Sequence, residues 1–155
     1  MRTFELNVDF SHAELTGTET LFGGIWVSLD GETFPQHGWP DFMTQLAGGL
    51  SDDISNIISD GEGVINFYFM DGPFEFRVQV NQLNWILEPT EDLNEEGCPI
   101  DPIIFIGSVL ASVEAIQSYC IENNIAERDM NRLGSTIERL RESFSSYRSQ
   151  FSQVS

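Results

Sequence analysis

The chain has 155 residues, 41% of them hydrophobic, which is enough to bury a core and argues against a disordered chain. It carries 25 acidic residues against seven basic ones, all arginines, for a formal net charge of −18. A surface this anionic repels nucleic acid and acidic membranes and attracts cationic proteins.

The N-terminal segment predicts strands joined by turns. Residues 3–10 alternate between apolar and polar side chains, which is the period of a half-buried strand. Residues 14–21 and 25–29 are predicted as the second and third strands. Asp30-Gly31 is a tight-turn signal, so we expect a hairpin with residues 32–34.

An amphipathic helix is predicted over about residues 40–59, where apolar residues recur at spacings of three and four. Pro40 suits the first helical turn, where its missing N–H costs nothing, and Asp41 suits the positive end of the helix. Gly48-Gly49 inside this helix indicates close contact with a sheet or a break into two helices.

A second hairpin is predicted in the middle of the chain. Residues 63–69 are β-branched and aromatic, residues 70–73 have turn chemistry, and residues 74–80 alternate strictly. Residues 83–87 are predicted as a further strand, with Trp85 on its apolar side. An acidic loop then extends from residue 89 to residue 101.

Two helices are predicted at the C-terminal end. Asp101 can cap the first, with Pro102 at its first position, and this helix runs to about Glu122. In the second, apolar residues step alternately by three and four; they are Met130, Leu133, Ile137, Leu140, Phe144, Tyr147 and Phe151. This seam can pack on the preceding helix, which we favour because that helix is adjacent, or can pair two copies of the chain.

These elements predict an α+β fold: an antiparallel sheet of about five or six strands with one inserted helix and a C-terminal helical pair. We expect a single domain over 1–155, with the sheet in 1–89 and the two helices in 102–152. No apolar run reaches the roughly 18 residues of a membrane helix, and no signal peptide is recognisable, so we expect a cytoplasmic protein without a membrane partner.

The sequence offers weak candidates for catalysis or cofactor binding. Residues 92–97 begin like a calcium-binding loop, but Ile103 stands where the bidentate glutamate is needed. The two cysteines and two histidines are not at zinc-ligand spacing and form no nucleophile motif; they are Cys98, Cys120, His12 and His37. Acid pairs such as Asp52-Asp53 and Glu95-Glu96 are expected by chance among 25 acids. We therefore expect no enzyme, no metal and no cofactor, with a carboxylate-dependent hydrolase as the weakest alternative.

Two segments together resemble a known family. Residues 34–42 read F-P-x-x-x-W-x-D-F ahead of a helix, and residues 69–76 contain Met70-Asp71-Gly72-Pro73-Phe74 in a hairpin. This pattern, over roughly residues 20–80, resembles the small acidic immunity proteins of bacterial polymorphic and contact-dependent toxin systems. The resemblance implies a stoichiometric inhibitor of a cognate toxin, with no catalytic residues. We expect the first segment itself to hold the helix on the sheet, through Trp39 and Phe42.

The leading hypothesis is therefore a toxin-binding protein that covers the active site of a cationic, nuclease-type toxin. Carboxylates at the end of the central helix and in the acidic loop are the predicted contacts; they are Asp52, Asp53, Asp60, Glu62, Glu91, Asp92, Glu95, Glu96 and Asp101. The alternative is a self-associating structural or regulatory module that forms a homodimer through Met130–Phe151.

Overall fold

The computed structural model describes residues 1–15, 20–88, 97–124 and 127–154. Within them the chain forms two four-stranded antiparallel sheets and three helices. The strands are β1 (Phe4–Leu15), β2 (Leu21–Leu29), β3 (Glu32–Phe34), β4 (Pro40–Phe42), β5 (Glu62–Tyr68), β6 (Glu75–Asn81), β7 (Asn84–Leu87) and β8 (Cys98–Pro99). The helices are α1 (Met43–Asp60), α2 (Pro102–Glu122) and α3 (Glu127–Val154).

The first sheet is centred on β2, which pairs with β1 on one side and with β3 and β4 on the other. The predicted turn at Asp30-Gly31 is confirmed, with both residues at positive φ, 49° and 90°. The predicted boundary between a first and a second strand is wrong, because β1 continues to Leu15 through an irregularity between Asp9 and Glu14. Part of the predicted second strand, residues 16–19, lies outside the described residues.

The central helix begins later than predicted. Pro40–Phe42 pairs with β2 as a short strand, and α1 starts at Met43. The Asp41 carboxylate accepts hydrogen bonds from the N–H groups of another hairpin, so tertiary contacts override its preference for a helix start. At the other end, the Gly61 N–H donates to the Ile57 carbonyl at 2.8 Å with φ of 86°, which ends α1 and leads directly into β5.

The second sheet has the order β5-β6-β7-β8, and its predicted central hairpin is confirmed. Side chains alternate along β5 and β6, so that one side of the sheet is buried and the other faces water. Arg2 joins this sheet to the first one, because its N–H donates to the Pro99 carbonyl at 2.9 Å and its carbonyl accepts from the Asp101 N–H at 3.0 Å.

The two C-terminal helices are confirmed and lie against the rest of the chain. Asp101 caps α2 by accepting from the Ile103 N–H at 2.9 Å and the Ile104 N–H at 3.3 Å. By length and composition α2 could cross a membrane, a feature that the sequence reading did not anticipate. Here it packs on β1, α1 and α3, with 39% of its most apolar window buried.

The apolar seam of α3 packs inside the chain, against α1 and α2. Leu133 and Leu140 are fully buried, and Ile137 and Tyr147 are nearly so. This burial removes most of the apolar surface that a homodimer through Met130–Phe151 requires; dimerisation itself stays a prediction.

One continuous core joins the sheets and helices. Phe4 of β1 contacts Phe76 of β6 and Phe105 of α2, with ring centroids 5.1 Å apart in both pairs. The α+β class, the inserted helix and the helical pair are confirmed. The described strands number eight in two sheets, whereas the pattern predicted about five or six in one, because period-2 alternation identifies strands without their pairing.

Candidate protein-binding surface

The side of the second sheet that faces water is a regular surface, and we call it the outer face. Its residues alternate with the buried ones along β5 and β6. They are Glu62, Val64, Asn66 and Tyr68 from β5 and Glu75, Arg77, Gln79 and Asn81 from β6.

Exposed apolar side chains concentrate along β5 and the turn after it. Val64 is 47% exposed, Tyr68 57% and Met70 59%. Val64 and Tyr68 share the outer face, about 13 Å apart along the strand. Large exposed apolar residues elsewhere, such as Ile121, are on other elements. In this row, tyrosine and methionine are residue types enriched in protein interfaces, and Val64 adds exposed apolar area.

Carboxylates surround this row. Glu62 lies two residues before Val64 on the same face, and Glu75 stands directly opposite Tyr68 across the β5–β6 pair. Asp71 follows Met70, and Asp53 of α1 lines a groove with Val64 and Asn66. We call Val64, Tyr68 and Met70, with these four carboxylates, the β5 surface.

Carboxylates outnumber basic side chains around the β5 surface, although Arg139 of α3 donates to Asn56 in the lining of the groove. Arg77 is the one basic side chain on the two strands, and it is engaged, because its guanidinium donates to Asn66 at 2.8 Å and lies 3.5 Å from Glu88. Partial burial, and then the neighbouring Asp52, raise the pKa of the Asp53 carboxyl. A cation bound beside Asp53 would favour the ionised carboxylate and so oppose this rise in its pKa.

The structure brings three of the predicted contact residues to the junction of α1 and β5. Asp53 and Asp60 are exposed on α1, and Glu62 begins β5. Asp52 is directed towards α3, where its carboxylate accepts a hydrogen bond from the Thr136 hydroxyl at 3.2 Å.

The remaining predicted contacts are not brought to that junction. Asp101 caps α2 beyond β8, at the opposite edge of the second sheet from β5, roughly 14 Å away at the usual strand spacing. Glu91, Asp92, Glu95 and Glu96 lie outside the described residues.

Charge by itself does not locate a binding surface on this molecule. Exposed carboxylates also occur on β1, on the β2–β3 turn and on both C-terminal helices; they include Glu14, Asp30, Glu32, Glu122, Glu138 and Glu142. Glu14 and Glu122 each stand beside one exposed apolar residue, Leu15 and Ile121, whereas the β5 surface brings three together along one strand and the turn after it. Sequence reasoning missed Val64, Tyr68 and Met70, because residues 64–69 are nearly all apolar and their pattern does not tell the exposed side chains from the buried ones.

The two segments that carry the family resemblance meet at Asp41. Its carboxylate is fully buried and accepts from the Trp39 indole N–H at 3.2 Å and the Phe42 N–H at 2.7 Å. It also accepts from the N–H groups of Met70 and Asp71, at 2.9 and 3.1 Å, in the turn between β5 and β6. Four N–H donors compensate the burial of this charge.

Aromatic packing reinforces the contact between the two segments at Asp41, and we call this contact the joint. Trp39 contacts Phe74 edge to face at 5.1 Å, and Phe34 contacts both Phe69 and Phe74 at 5.9 Å. Phe42 contacts Phe22 at 5.3 Å. The joint holds the turn that presents Met70 and Asp71, so the resemblance segments position one end of the β5 surface.

A cleft of about 440 Å³ at the irregular part of β1 is another concave region with titratable groups, lined by Asp9, His12 and Glu14 among others. The Ser11 hydroxyl and N–H donate to Asp9 and lower the pKa of its carboxyl. A carboxylate held ionised in this way is unsuited to donate a proton. Within the described residues no three His, Cys, Asp or Glu side chains form a group that could hold a metal ion.

Comparison with protein-family models, with curated proteins and with solved structures finds no match for this chain.

Proposed function

We propose that this chain is an immunity-type inhibitor, which binds a cationic bacterial toxin of the nuclease type and covers its active site. The observation that carries the proposal is the β5 surface, where Val64, Tyr68 and Met70 are exposed and ringed by carboxylates. The resemblance of residues 34–42 and 69–76 to immunity proteins supports the same conclusion.

Charge and apolar contact have separate roles in this proposal. The net charge of −18 speeds the encounter with a cationic toxin, since nucleases carry positive charge where they hold phosphates. The affinity comes from Tyr68 and Met70, which become desolvated in the complex. The inhibitor acts stoichiometrically and requires no catalytic group.

The experiment is co-expression with the product of the neighbouring open reading frame, followed by growth rescue and a measured dissociation constant. Tyr68→Ala is expected to weaken the complex by about 30-fold, as for an interface anchor. Ile121→Ala is the matched control, because Ile121 is 60% exposed on α2, and it should change the affinity less than about twofold.

A second pair of variants separates local charge from total charge. Glu62→Gln with Glu75→Gln removes two charges at the β5 surface, whereas Glu138→Gln with Glu142→Gln removes two from α3. The first pair should slow association more than the second, with the difference shrinking as salt is added. No complex at low salt, or equal losses from Tyr68→Ala and Ile121→Ala, would contradict the proposal.

A further inference from the structure

The hydrogen-bond pattern between β5 and β6 shows which backbone N–H and C=O groups of β5 point away from the sheet. The Phe69 N–H donates to the Phe74 carbonyl at 3.0 Å, and the Gln82 N–H donates to the Gly61 carbonyl at 2.7 Å. With the register Glu62↔Asn81 to Tyr68↔Glu75, these bonds assign the odd-numbered residues to the ladder with β6. The N–H and C=O groups of Glu62, Val64, Asn66 and Tyr68 therefore point to the free edge.

No described residue takes up these edge groups, since β5 pairs with β6 and with no other described strand. The edge is also unprotected by its sequence. It has no proline, no lysine and no bulge, and its centre is Val64 and Asn66. Between this edge and α1 lies a groove of about 300 Å³, lined by Asp53, Asn56, Ile57, Val64 and Asn66.

We propose that the free edge of β5 receives an extended, positively charged segment of the partner protein as an added strand of the second sheet. This inference rests on the proposed function for the partner's charge. Alternate residues of the added strand lie beside Val64 and Tyr68 on the outer face, where apolar side chains fit. An arginine or lysine of the added strand can pair with Asp53, which lines the groove beside the edge together with Val64 and Asn66.

A second copy of this chain is a poorer occupant of the edge. Each copy carries a net charge of −18, and two apposed β5 edges would bring their carboxylates together without added cations. A cationic strand instead pairs with Asp53 and Glu62 while it satisfies the edge N–H and C=O groups.

The test is amide hydrogen exchange of the full chain, measured by NMR with and without a blocked octapeptide of alternating valine and arginine. In the free protein the amides of Val64, Asn66 and Tyr68 should exchange fast, and those of Ile65 and Phe67 slowly. Saturating peptide should slow the first three by at least about tenfold, as expected for newly hydrogen-bonded amides. The same peptide with every amide N-methylated keeps the charge, and it should produce no such protection.

A pair of variants at Val64 tests strand addition independently. Val64→Pro removes an outward N–H and leaves the ladder with β6 intact, so peptide affinity should fall about tenfold. Val64→Thr keeps the N–H and should stay within about threefold. Slow exchange at Ile65 and Phe67 in both variants confirms that the sheet is folded.

Three results would overturn strand addition: no peptide binding, binding without protection of the even-numbered amides, or a homodimer of the free protein that already protects them. The outcome is distinguishable from failure of the proposed function. A toxin that binds and is neutralised without protecting these amides refutes the added strand only. A peptide that adds to β5 while no cationic toxin is neutralised refutes the inhibitor and leaves the edge site.

Discussion

The outer edges of β1 and β5 both carry backbone N–H and C=O groups that do not pair within their sheets. Some of these groups find partners in other elements on β1, whereas those on β5 do not among the described residues. On β1, the Ser108 hydroxyl accepts from the Leu6 N–H at 2.9 Å, and the Ser112 hydroxyl lies 3.4 Å from the Leu6 carbonyl. The bridge between Arg2 and Ile100 closes the start of the same strand. On β5, no described residue covers the equivalent groups.

The difference between these two edges shows where this fold can accept a partner. Around Leu6, which is 4% exposed, α2 packs on β1, and the buried backbone groups of this residue find their partners on that helix. The edge of β5 is at the surface, next to Val64 and Tyr68, where water or another chain can satisfy it. Among the described strands, β3, β4 and β8 have at most three residues each, too short to offer a comparable edge.

The largest expected change in stability comes from placing a proline at one of two neighbouring positions in β5. Ile65→Pro removes a ladder N–H and a fully buried side chain, so the free energy of unfolding should fall by about 4 kcal/mol or more. Val64→Pro, at the open edge, should cost about 1 kcal/mol. Urea denaturation of both variants measures the difference. Equal losses would show that the edge of β5 is not open.

The next effect concerns Asp41, which joins the first sheet to the hairpin that carries the β5 surface. Asp41→Ala leaves four N–H donors without their acceptor and should lower the free energy of unfolding by about 3 kcal/mol. Asp41→Asn retains one acceptor oxygen and should lose about half as much. If the alanine variant unfolds at the urea concentration of the wild type, the carboxylate does not stabilise the joint.

Opening the edge of β1 should have a smaller effect. Ser108→Ala with Ser112→Ala deprives the Leu6 N–H of its acceptor, which should cost about 1–2 kcal/mol and accelerate exchange of the Leu6 amide. Ser118→Ala, at an exposed position of the same helix, is the control and should have little effect. Unchanged Leu6 exchange in the double variant would mean that the serines do not close this edge.

The smallest effect is the pH dependence of Asp53. Its pKa is raised in the folded protein above the ordinary 3.8, so the folded state holds the proton more tightly than the unfolded chain. Stability is therefore lost as pH rises from about 3.8 through the folded pKa. Asp53→Asn should be more stable than the wild type at pH 7, by less than about 1 kcal/mol because the group is exposed, and the gain should vanish at pH 3.

Glu142→Gln removes the same charge from α3 and serves as its control. Urea midpoints at pH 7 and pH 3 give the comparison. A gain for Asp53→Asn that is no larger than that for Glu142→Gln at pH 7 would show that only the net charge matters.

Local patterns predicted most elements and few of their contacts. The alternation in residues 74–80 and the cap-and-proline pair Asp101-Pro102 identified a strand and a helix correctly, because both signals act between near neighbours. Asp41 was assigned to a helix start, which is a sound local choice, but its carboxylate bonds to residues 29 and 30 positions away. Asp52 and Asp53 were grouped by sequence, whereas successive helical residues face different neighbours, and Asp52 reaches Thr136.

The sequence alone was sufficient for the α+β class, the order of the main elements, the anionic character and the alternation of residues 74–80. These properties depend on composition and on periods of two or about 3.6 residues, which need no knowledge of distant segments. Tertiary packing alone decided that the edge of β1 is closed at Leu6 and that β5 pairs on one side only among the described strands. The groups that close β1 come from α2, 102 residues further along the chain, and hydrogen bonds over that separation leave no periodic trace in the sequence.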